Sequence, residues 1–381
     1  MADLLQITQI VPRLPPAISG VGDYALLLAR ELRKTHQVDT KFVLTDTDWR
    51  GESRIDGFEV ERLPRKTDEV LRAAMGNSSA RWTVLHYVGY AYAPKGCPLW
   101  LIRALERTVG LRTEPPQPLI TMFHELYATG PLWTSAGLTS TFQKRLTKRL
   151  ARLSDICFTN RYHSALELNS MRRSHKEKAR VFPVFSNFGE PLKPAALAQR
   201  RPQAIWFGGL GRSVRNVTKT LAHLRNILRQ FEISKLIVIG TNRINLEAAG
   251  IHCERHVHLV PEVASRLLSE SRFGFLDYYD GYLGKSGIFA AYCSHGLVPI
   301  LFEPNASEAD GLECGRHFLL ASSVNDPGTQ VQQIADAAWT WYHSHNVAKT
   351  AIAFAQAFRQ MHGQESRIEA RSQAHLASAS I

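Results

Sequence analysis

Two arginines near the middle of the chain, Arg212 and Arg215, have the chemistry to hold a diphosphate. They follow the apolar run AIWFGG (204–209), which is typical of a buried strand, and a helix-type segment comes after them. Parallel sheets bind ligands in a crevice beyond the carboxyl ends of their strands. Arginine keeps its charge and grips phosphate oxygens with paired donors, so this pair is predicted to neutralise a leaving diphosphate. The alternative is that both are solvated loop arginines.

A second candidate loop follows the first apolar run of the chain, LLQITQIV (4–11). It carries Gly20 and Gly22 in the sequence SGVGDY, just before an amphipathic helix. Backbone N–H groups at a helix start suit a phosphate, and the glycines would let the loop close over the reacting groups. The alternative is that these glycines only permit a tight turn.

A third candidate loop for phosphate is GYLGKS, between two apolar runs in the second half of the chain. Gly284 opens the backbone there, while Lys285 and Ser286 begin a helix whose N-terminus attracts phosphate. The loop is not a P-loop, because GxxxxGK[ST] would require glycine at the position of Tyr279. A nucleoside triphosphatase is therefore not predicted.

Histidine ends two of the predicted strands. His124 follows PLITMF (118–123), at a sheet edge where it can donate to a substrate hydroxyl or take part in proton transfer. His86 stands in the same way near the end of TVLHYV (83–88). A purely structural role is the alternative for each.

Two patterns resemble metal sites, but neither predicts one. Asp46 and Asp48 form a literal DxD, which follows only the second predicted strand and arises often by chance. HCERHVH (252–258) matches no standard zinc spacing, and both segments are predicted to be surface turns. We therefore predict neither a bound metal nor another cofactor.

The elements that position these residues alternate between apolar strands and amphipathic helices along the whole chain. This rhythm is typical of βα units and predicts an α/β fold of two Rossmann-like, doubly wound domains that face each other across a cleft. The predicted domains are 1–192 and 200–362, followed by a polar tail, 363–381. The stretch from Gln330 to Met361 is predicted to be helical.

Charge and cysteine content narrow the class of partner and the compartment. Lys and Arg outnumber Asp and Glu by 46 to 34, which favours anionic partners, but no nucleic-acid-binding motif is present. Five widely spaced cysteines without a CxxC pair indicate a reducing cytoplasm. The basic, amphipathic segment 141–155 could rest on an anionic membrane or could be an ordinary helix with a solvated basic face.

In order and spacing, several motifs together resemble the retaining, GT-B-fold glycosyltransferases of family 4, also called glycosyl transferases group 1. The resemblance rests on SGVGDY, MFHE, VFPVFSN, FGGLGRSVRN and GKSGIFAAYCSHGLVPI, and it covers most of the chain. It implies that domain 1–192 binds the acceptor and that domain 200–362 binds the nucleotide sugar. It also implies that Arg212 and Arg215 neutralise the donor diphosphate and that His124 lies near the transferred sugar. It also implies transfer with retention to a glycan or lipid-linked acceptor, in the biosynthesis of a polysaccharide or glycolipid.

The chain departs from this family at a pair of glutamates, where it has Leu283 and Ala291. Lys285 and Ser286 are predicted to take over by direct contact with phosphate, and Glu303 is a nearby carboxylate without a motif. Two rival functions stay open. One is a noncatalytic, degenerate GT-B protein that binds a glycan or a partner. The other is an epimerase acting on a nucleotide sugar, which would require a carboxylate for proton transfer.

Overall fold

A computed structural model describes residues 5–76, 80, 82–109, 118–128, 135–173, 176–208, 217–240, 246–247, 249–257, 259–278, 280–302, 310–324 and 330–361. The chain divides into two compact units. The first consists of Met1–Val181 together with Val347–Ile381, and the second is Phe182–Asn346. The second unit is therefore inserted into the first as one continuous piece of chain.

The first unit is built on an eight-stranded sheet. Its strands are β1 (Leu5–Val11), β2 (Val38–Leu44), β3 (Arg54–Ile55), β4 (Phe58–Arg62), β5 (Trp82–Tyr87), β6 (Leu119–Phe123), β7 (Ile156–Thr159) and β8 (Arg180–Val181). Their order is β3-β4-β2-β1-β5-β6-β7-β8, and all neighbours are parallel except β3 and β4. The strand order reverses between β1 and β5, which is where a doubly wound sheet opens a crevice at its carboxyl edge.

The helices of this unit are α1 (Gly20–His36), α2 (Asp68–Gly76), α3 (Gly89–Tyr92), α4 (Leu99–Val109), α5 (Ser135–Leu153) and α6 (Tyr162–Met171), with a 3₁₀ turn at Pro94–Gly96. Every residue of β5, β6 and β7 is buried, and the three strands read as apolar runs because helices of a βα sheet cover both faces. Leu146 and Leu150 of α5 are buried in the same core as Leu101 and Leu105 of α4.

The second unit has a six-stranded, wholly parallel sheet. Its strands are β9 (Gln203–Phe207), β10 (Lys235–Ile239), β11 (Cys253–His256), β12 (Phe273–Leu276), β13 (Val298–Leu301) and β14 (Leu319–Leu320). The order β11-β10-β9-β12-β13-β14 is the 3-2-1-4-5-6 order of a Rossmann sheet, so its crevice opens between β9 and β12. The helices are α7 (Val217–Gln230), α8 (Pro261–Glu270), α9 (Gly287–Ser294) and α10 (Val331–His343), with 3₁₀ turns at Leu197–Gln199 and Asp280–Lys285.

A last helix, α11 (347–361), returns to the first unit. Phe354 stacks on Phe158 of β7, with ring centroids 4.3 Å apart, and Phe358 packs against Trp82 of β5 at 6.1 Å. These contacts cover apolar residues at two strands of the first sheet. The helix therefore completes the core of the unit that was begun by the first half of the chain.

The predicted α/β class with two Rossmann-like domains is confirmed, whereas details of chain division differ from the prediction. The units divide between residues 181 and 182, ahead of the predicted boundary, and α11 belongs to the first unit rather than to the predicted second domain. The single helix predicted from Gln330 to Met361 is two helices. It is interrupted because the N–H groups of Ser344 and His345 turn back to the carbonyls at the end of α10. The predicted tail, 363–381, lies outside the described residues.

Candidate functional site

The carboxyl edge of the first sheet brings together the two histidines singled out in the sequence. His86 is the penultimate residue of β5, and His124 follows directly after β6, the neighbouring strand. His86 Nδ1 lies 3.2 Å from His124 Nε2, within hydrogen-bond distance. His86 is completely buried, and His124 is 8% exposed. The pair therefore lies at the mouth of the crevice, with one ring inside the core and the other next to its surface.

Backbone and ring contacts hold this histidine pair in place. The Tyr92 hydroxyl donates to the carbonyl of His86 (2.8 Å), and the Asn160 amide donates to the carbonyl of His124 (3.3 Å). The buried ring of Tyr24, on α1, meets the His124 ring edge-on at 5.0 Å. Burial, followed by the proximity of His124, holds the pKa of His86 well below its usual range, so the His86 ring is neutral at physiological pH.

The glycine loop after β1 is built around the start of α1. Ser19 is the N-cap of this helix, and its hydroxyl accepts a hydrogen bond from the N–H of Gly22 (3.2 Å). A Cβ atom at Gly22 would lie 2.2 Å from the carbonyl oxygen of Arg13, whereas a Cβ atom at Gly20 would meet nothing within 4 Å. Gly22 is thus required for close packing of the helix start, and Gly20 leaves open space above it.

Alanine substitutions should separate these two glycines. Gly22→Ala is expected to lower the free energy of unfolding by about 1–3 kcal/mol, because the added methyl group meets a backbone carbonyl that must shift. Gly20→Ala, which is the matched control, should leave stability unchanged or raise it by up to about 1 kcal/mol, since alanine favours the helix. Urea unfolding of both variants tests this, and equal destabilisation by both would contradict the packing role of Gly22.

A carboxyl group that the sequence analysis did not single out lies in the first turn of α1. Asp23 is partly buried next to Tyr24, and burial raises its pKa to about 6. A carboxyl group with such a pKa can exchange a proton near neutral pH. The signal in the sequence was the aspartate inside SGVGDY, but its burial depends on the packing of the helix start and could not be seen there.

The carboxyl edge of the second sheet is bare backbone at two neighbouring strands. Gly208 follows β9 and Gly240 follows β10, at φ values of +84° and +100°. A Cβ atom at Gly240 would lie at ordinary contact distance, 3.5 Å, from the backbone of Gly208, so it is the positive φ values that favour glycine at both positions. Arg212 and Arg215 follow Gly208 in the sequence and lie outside the described residues.

The predicted loop in GYLGKS also follows a strand of this sheet, β12. Gly284 is in the 3₁₀ turn Asp280–Lys285, and its carbonyl accepts from the N–H of Val184 (2.8 Å). Ser286 is the N-cap of α9, and its hydroxyl accepts from the N–H of Phe289 (3.2 Å). The ammonium group of Lys285 lies 5.1 Å from the ring centroid of Tyr282. The turn therefore places a cation immediately before a capped helix start.

Two further residues at this loop were not identified from the sequence. The amide nitrogen of Asn187 lies 3.8 Å from the place of a Cβ atom at Gly287, the first residue of α9. Asn187 ends the motif VFPVFSN, which carried no residue role in the sequence analysis. Asp277 comes directly after β12 and is partly buried at the same sheet edge. Asn187 reaches the start of α9 through the packing of a segment outside the strands, whereas Asp277 precedes this loop directly in the chain.

The two positions at which the resemblance implies a glutamate pair carry buried apolar side chains in this protein. Leu283 is 1% exposed and Ala291 is completely buried. Neither position presents a polar atom of its side chain to a ligand, so the chemistry of two carboxylates is absent at both. Glu303 lies outside the described residues.

The segments that resembled metal sites have other local roles. Asp46 accepts from the N–H of Asp48 (3.1 Å) in a turn and pairs with Arg13 (3.2 Å). Cys253–His256 forms the edge strand β11 rather than the predicted surface turn, because its backbone pairs with β10. Within that strand the His256 ring lies 2.6 Å from the carboxylate of Glu254. Each carboxylate therefore has a partner within the protein.

The basic segment on α5 has a buried apolar face and an exposed basic flank. Its apolar residues Leu146 and Leu150 are buried in the core of the unit, as in an ordinary domain helix. Arg145 and Lys148 are exposed, while Arg149 forms an ion pair with Glu106 (2.6 Å). Among the described helices, none combines the length and apolar character needed to cross a bilayer.

The fold of this chain is shared with several solved structures. A protein assigned as a UDP-N-acetylglucosamine 2-epimerase, from Listeria monocytogenes, is 12% identical, with a TM-score of 0.62 over 94% of this chain and 97% of that chain. The pneumococcal O-GlcNAc transferase GtfA, solved with UDP and GlcNAc, is 11% identical, with a TM-score of 0.60 over 93% and 99%. The lipopolysaccharide outer core galactosyltransferase WaaB is 10% identical, with a TM-score of 0.56 over 93% and 99%.

Sequence comparison adds no family assignment. No family model matches the chain, and no curated protein matches it. The structural likeness extends over nearly the full length of each neighbour, so it covers both Rossmann-like domains and shows the GT-B fold class.

Proposed function

We propose that this protein is a glycosyltransferase that moves a sugar from a nucleotide-sugar donor to a glycan or lipid-linked acceptor, with retention of configuration. The observation that carries the proposal is the position of the described candidate residues. His124 follows β6, Gly20 follows the β1 loop, and Lys285 follows β12 by way of the 3₁₀ turn, so each comes after the carboxyl end of a parallel strand. The same fold occurs in solved transferases, one of which holds UDP and GlcNAc.

In the proposed reaction, residues of the second unit bind the diphosphate and His124 of the first unit contacts the sugar. On the second unit, Arg212 and Arg215 neutralise the diphosphate as it leaves, and Lys285 and the N–H groups at the start of α9 contact phosphate oxygens. On the first unit, His124 contacts the transferred sugar. The acceptor hydroxyl then attacks from the face that the diphosphate leaves, and no tightly bound metal takes part. The donor is a sugar linked to UDP, GDP or ADP.

The proposed place of action is the cytoplasm, at the inner face of the cell membrane. The exposed Arg145 and Lys148 on α5 supply positive charge for contact with anionic headgroups, and the chain carries a formal net charge of +12. Because the apolar face of α5 is used by the core, the proposed contact is electrostatic and should weaken as salt rises. An acceptor carried on lipid would be reached from this position.

Nucleotide titration by calorimetry tests the proposal. UDP, GDP and ADP are titrated into the wild type, Arg212→Ala and Arg201→Ala, and the best binder is then assayed as its sugar conjugate for hydrolysis. Arg201 is the matched control, because it lies before the amino end of β9 and pairs with Glu270. We expect one nucleotide to bind, Arg212→Ala to lose that binding, and Arg201→Ala to retain it. If no nucleotide binds, the noncatalytic scaffold is the better interpretation.

A nucleotide-sugar epimerase is the second candidate function. Two observations favour it: the fold likeness to a protein assigned as a 2-epimerase, and Asp23, whose pKa of about 6 suits proton exchange at the first sheet edge. An epimerase requires no acceptor and exchanges a sugar C–H proton with solvent. Incubating the bound nucleotide sugar in D₂O, without acceptor, distinguishes the two functions. Deuterium incorporation with an inverted sugar centre would favour the epimerase, whereas transfer or hydrolysis without deuterium on sugar carbon would favour the transferase.

A further inference from the structure

A chain of three side chains leads from the interior of the first sheet to His124. Gln9 of β1 and His86 of β5 are completely buried, and His124 is 8% exposed. Gln9 Oε1 lies 2.8 Å from His86 Nε2, and His86 Nδ1 lies 3.2 Å from His124 Nε2. Gln9 and His86 lie on the neighbouring strands β1 and β5, and His124 directly follows β6, the next strand, so the three side chains cross the sheet at the point where the strand order reverses.

The two hydrogen bonds that link these three side chains run in the same direction, with each histidine donating toward Gln9. The Gln9 amide nitrogen faces the hydroxyl of Thr40 (3.3 Å), which leaves the Gln9 carbonyl oxygen toward His86. A carbonyl oxygen can only accept, so His86 carries its proton on Nε2. The neutral His86 ring then has a lone pair on Nδ1, which accepts a hydrogen bond from His124 Nε2–H. In His124, therefore, Nε2 is the donor within the protein and Nδ1 is the acceptor.

A second proton on His86 would break this arrangement. It would place an N–H group on His86 Nδ1, opposite the N–H group of His124, and would put a positive charge at a site without access to water. The neighbouring ring of Tyr24 packs edge-on against both imidazoles and gives no carboxylate to balance such a charge. The neutral state of His86 is thus part of what fixes His124.

We propose that Gln9 and His86 are positioning residues that hold His124 as the Nε2–H tautomer and so fix the orientation of its ring toward the bound sugar. The part that concerns the sugar rests on the proposed function, whereas the tautomer does not. The sequence predicts two possible roles for His124, as a donor to a substrate hydroxyl or as a group that takes part in proton transfer. The geometry assigns the Nε2–H group of His124 as a donor to His86.

Long-range ¹H–¹⁵N NMR of the histidine rings in the full-length protein tests the tautomer directly. The signals of His86 and His124 are assigned by their loss in His86→Gln and His124→Gln. At pH 7 we expect both rings to show a protonated Nε2 and an unprotonated Nδ1. A protonated Nδ1 on either ring would overturn the proposal, because the Gln9 amide or the histidine pair would then run in the opposite direction.

Substitution of Gln9 should change the tautomer of His124. Gln9→Glu places a carboxylate on His86 Nε2, which favours a doubly protonated His86. His86 Nδ1–H must then donate to His124 Nε2, so His124 is expected to switch to the Nδ1–H tautomer. Gln9→Met removes the acceptor without adding charge, and mixed tautomers of His124 are expected. An unchanged His124 tautomer in both folded variants would overturn the proposal.

A matched glutamine in the same strand provides the control. Gln6, also on β1, bonds to Asp39 (3.2 Å) and not to either histidine, so Gln6→Met should leave both ring patterns as in the wild type. On the proposed substrate, Gln9→Glu should lower kcat about 10- to 100-fold, with a smaller change in KM. If no nucleotide sugar reacts at all, the proposed function fails, while the ring signals still confirm or overturn the positioning role.

Discussion

Replacing Lys285 with alanine is expected to weaken binding of the preferred nucleoside diphosphate about 10- to 100-fold. The ammonium group stands one residue before Ser286, the N-cap of α9, where the helix start already favours an anion. A hydrogen bond to a charged group contributes about 1.5–3 kcal/mol, and each 1.4 kcal/mol corresponds to a tenfold change in affinity. Calorimetric titration of the nucleotide at two salt concentrations measures the loss and should show a weaker salt dependence in the variant.

The control for this prediction is Lys235, an exposed lysine of the same unit. Lys235 begins β10, at the amino edge of the sheet, and pairs with Glu254 (2.5 Å), so Lys235→Ala should leave nucleotide affinity unchanged. Lys285→Arg keeps the charge and should recover part of the affinity, since its geometry differs. Equal affinity of the wild type and Lys285→Ala would remove Lys285 from the phosphate site and leave the two arginines to hold the diphosphate.

Acidification from pH 7 to pH 4.5 is expected to lower the free energy of unfolding of the second unit by about 5 kcal/mol. Two of its histidines are buried and neutral. Burial lowers the pKa of His295 to about 4 and that of His345 to about 3, from an ordinary value of 6.5. His295 is also bonded at both ring nitrogens, to the Ser265 hydroxyl (2.8 Å) and the Ala291 carbonyl (2.8 Å).

The sign follows from proton binding. Between pH 6.5 and the lowered pKa values the unfolded chain binds protons that the folded unit refuses, so stability falls as pH falls. Each histidine contributes about 1.4 kcal/mol per pH unit over that range. Urea unfolding between pH 7 and pH 4.5 measures the slope. His295→Gln should reduce the slope by the contribution of one histidine, about 1.4 kcal/mol per pH unit. A slope that His295→Gln leaves unchanged would contradict the prediction.

The part of the fold that could be predicted is the part that depends on local pattern. The apolar runs at β6 and β9 predicted strands because parallel strands that are covered on both faces are mostly apolar. The break between α10 and α11 could not be predicted in the same way, since helical periodicity continues through it. Its cause is the pair of N–H groups that turn back at Ser344 and His345, and the different packing partners of the two helices.

The sequence predicted residue types for the candidate site, but it did not predict the contacts between those residues. His124 and His86 were both singled out at strand ends, but their hydrogen bond depends on β5 and β6 being neighbours. Gln9 was read only as part of an apolar run, because a polar residue inside a strand gives no sign of its partner. Gly22 was interpreted as a phosphate-loop glycine, and its packing against the Arg13 carbonyl required coordinates. Its role toward phosphate stays a prediction.

Because α11 returns to the first unit, the chain of the second unit is completed before that of the first during synthesis. During synthesis, Phe158 and Trp82 leave the ribosome well before Phe354 and Phe358, the residues that cover them. At ordinary rates of translation the whole second unit intervenes, a delay of roughly 10–30 s. The second unit is therefore completely synthesised first. Until α11 follows, the first unit exposes the apolar residues that this helix covers. A nascent chain of this kind is a natural client for a chaperone, and a stop codon placed after residue 346 would damage the first unit rather than the second.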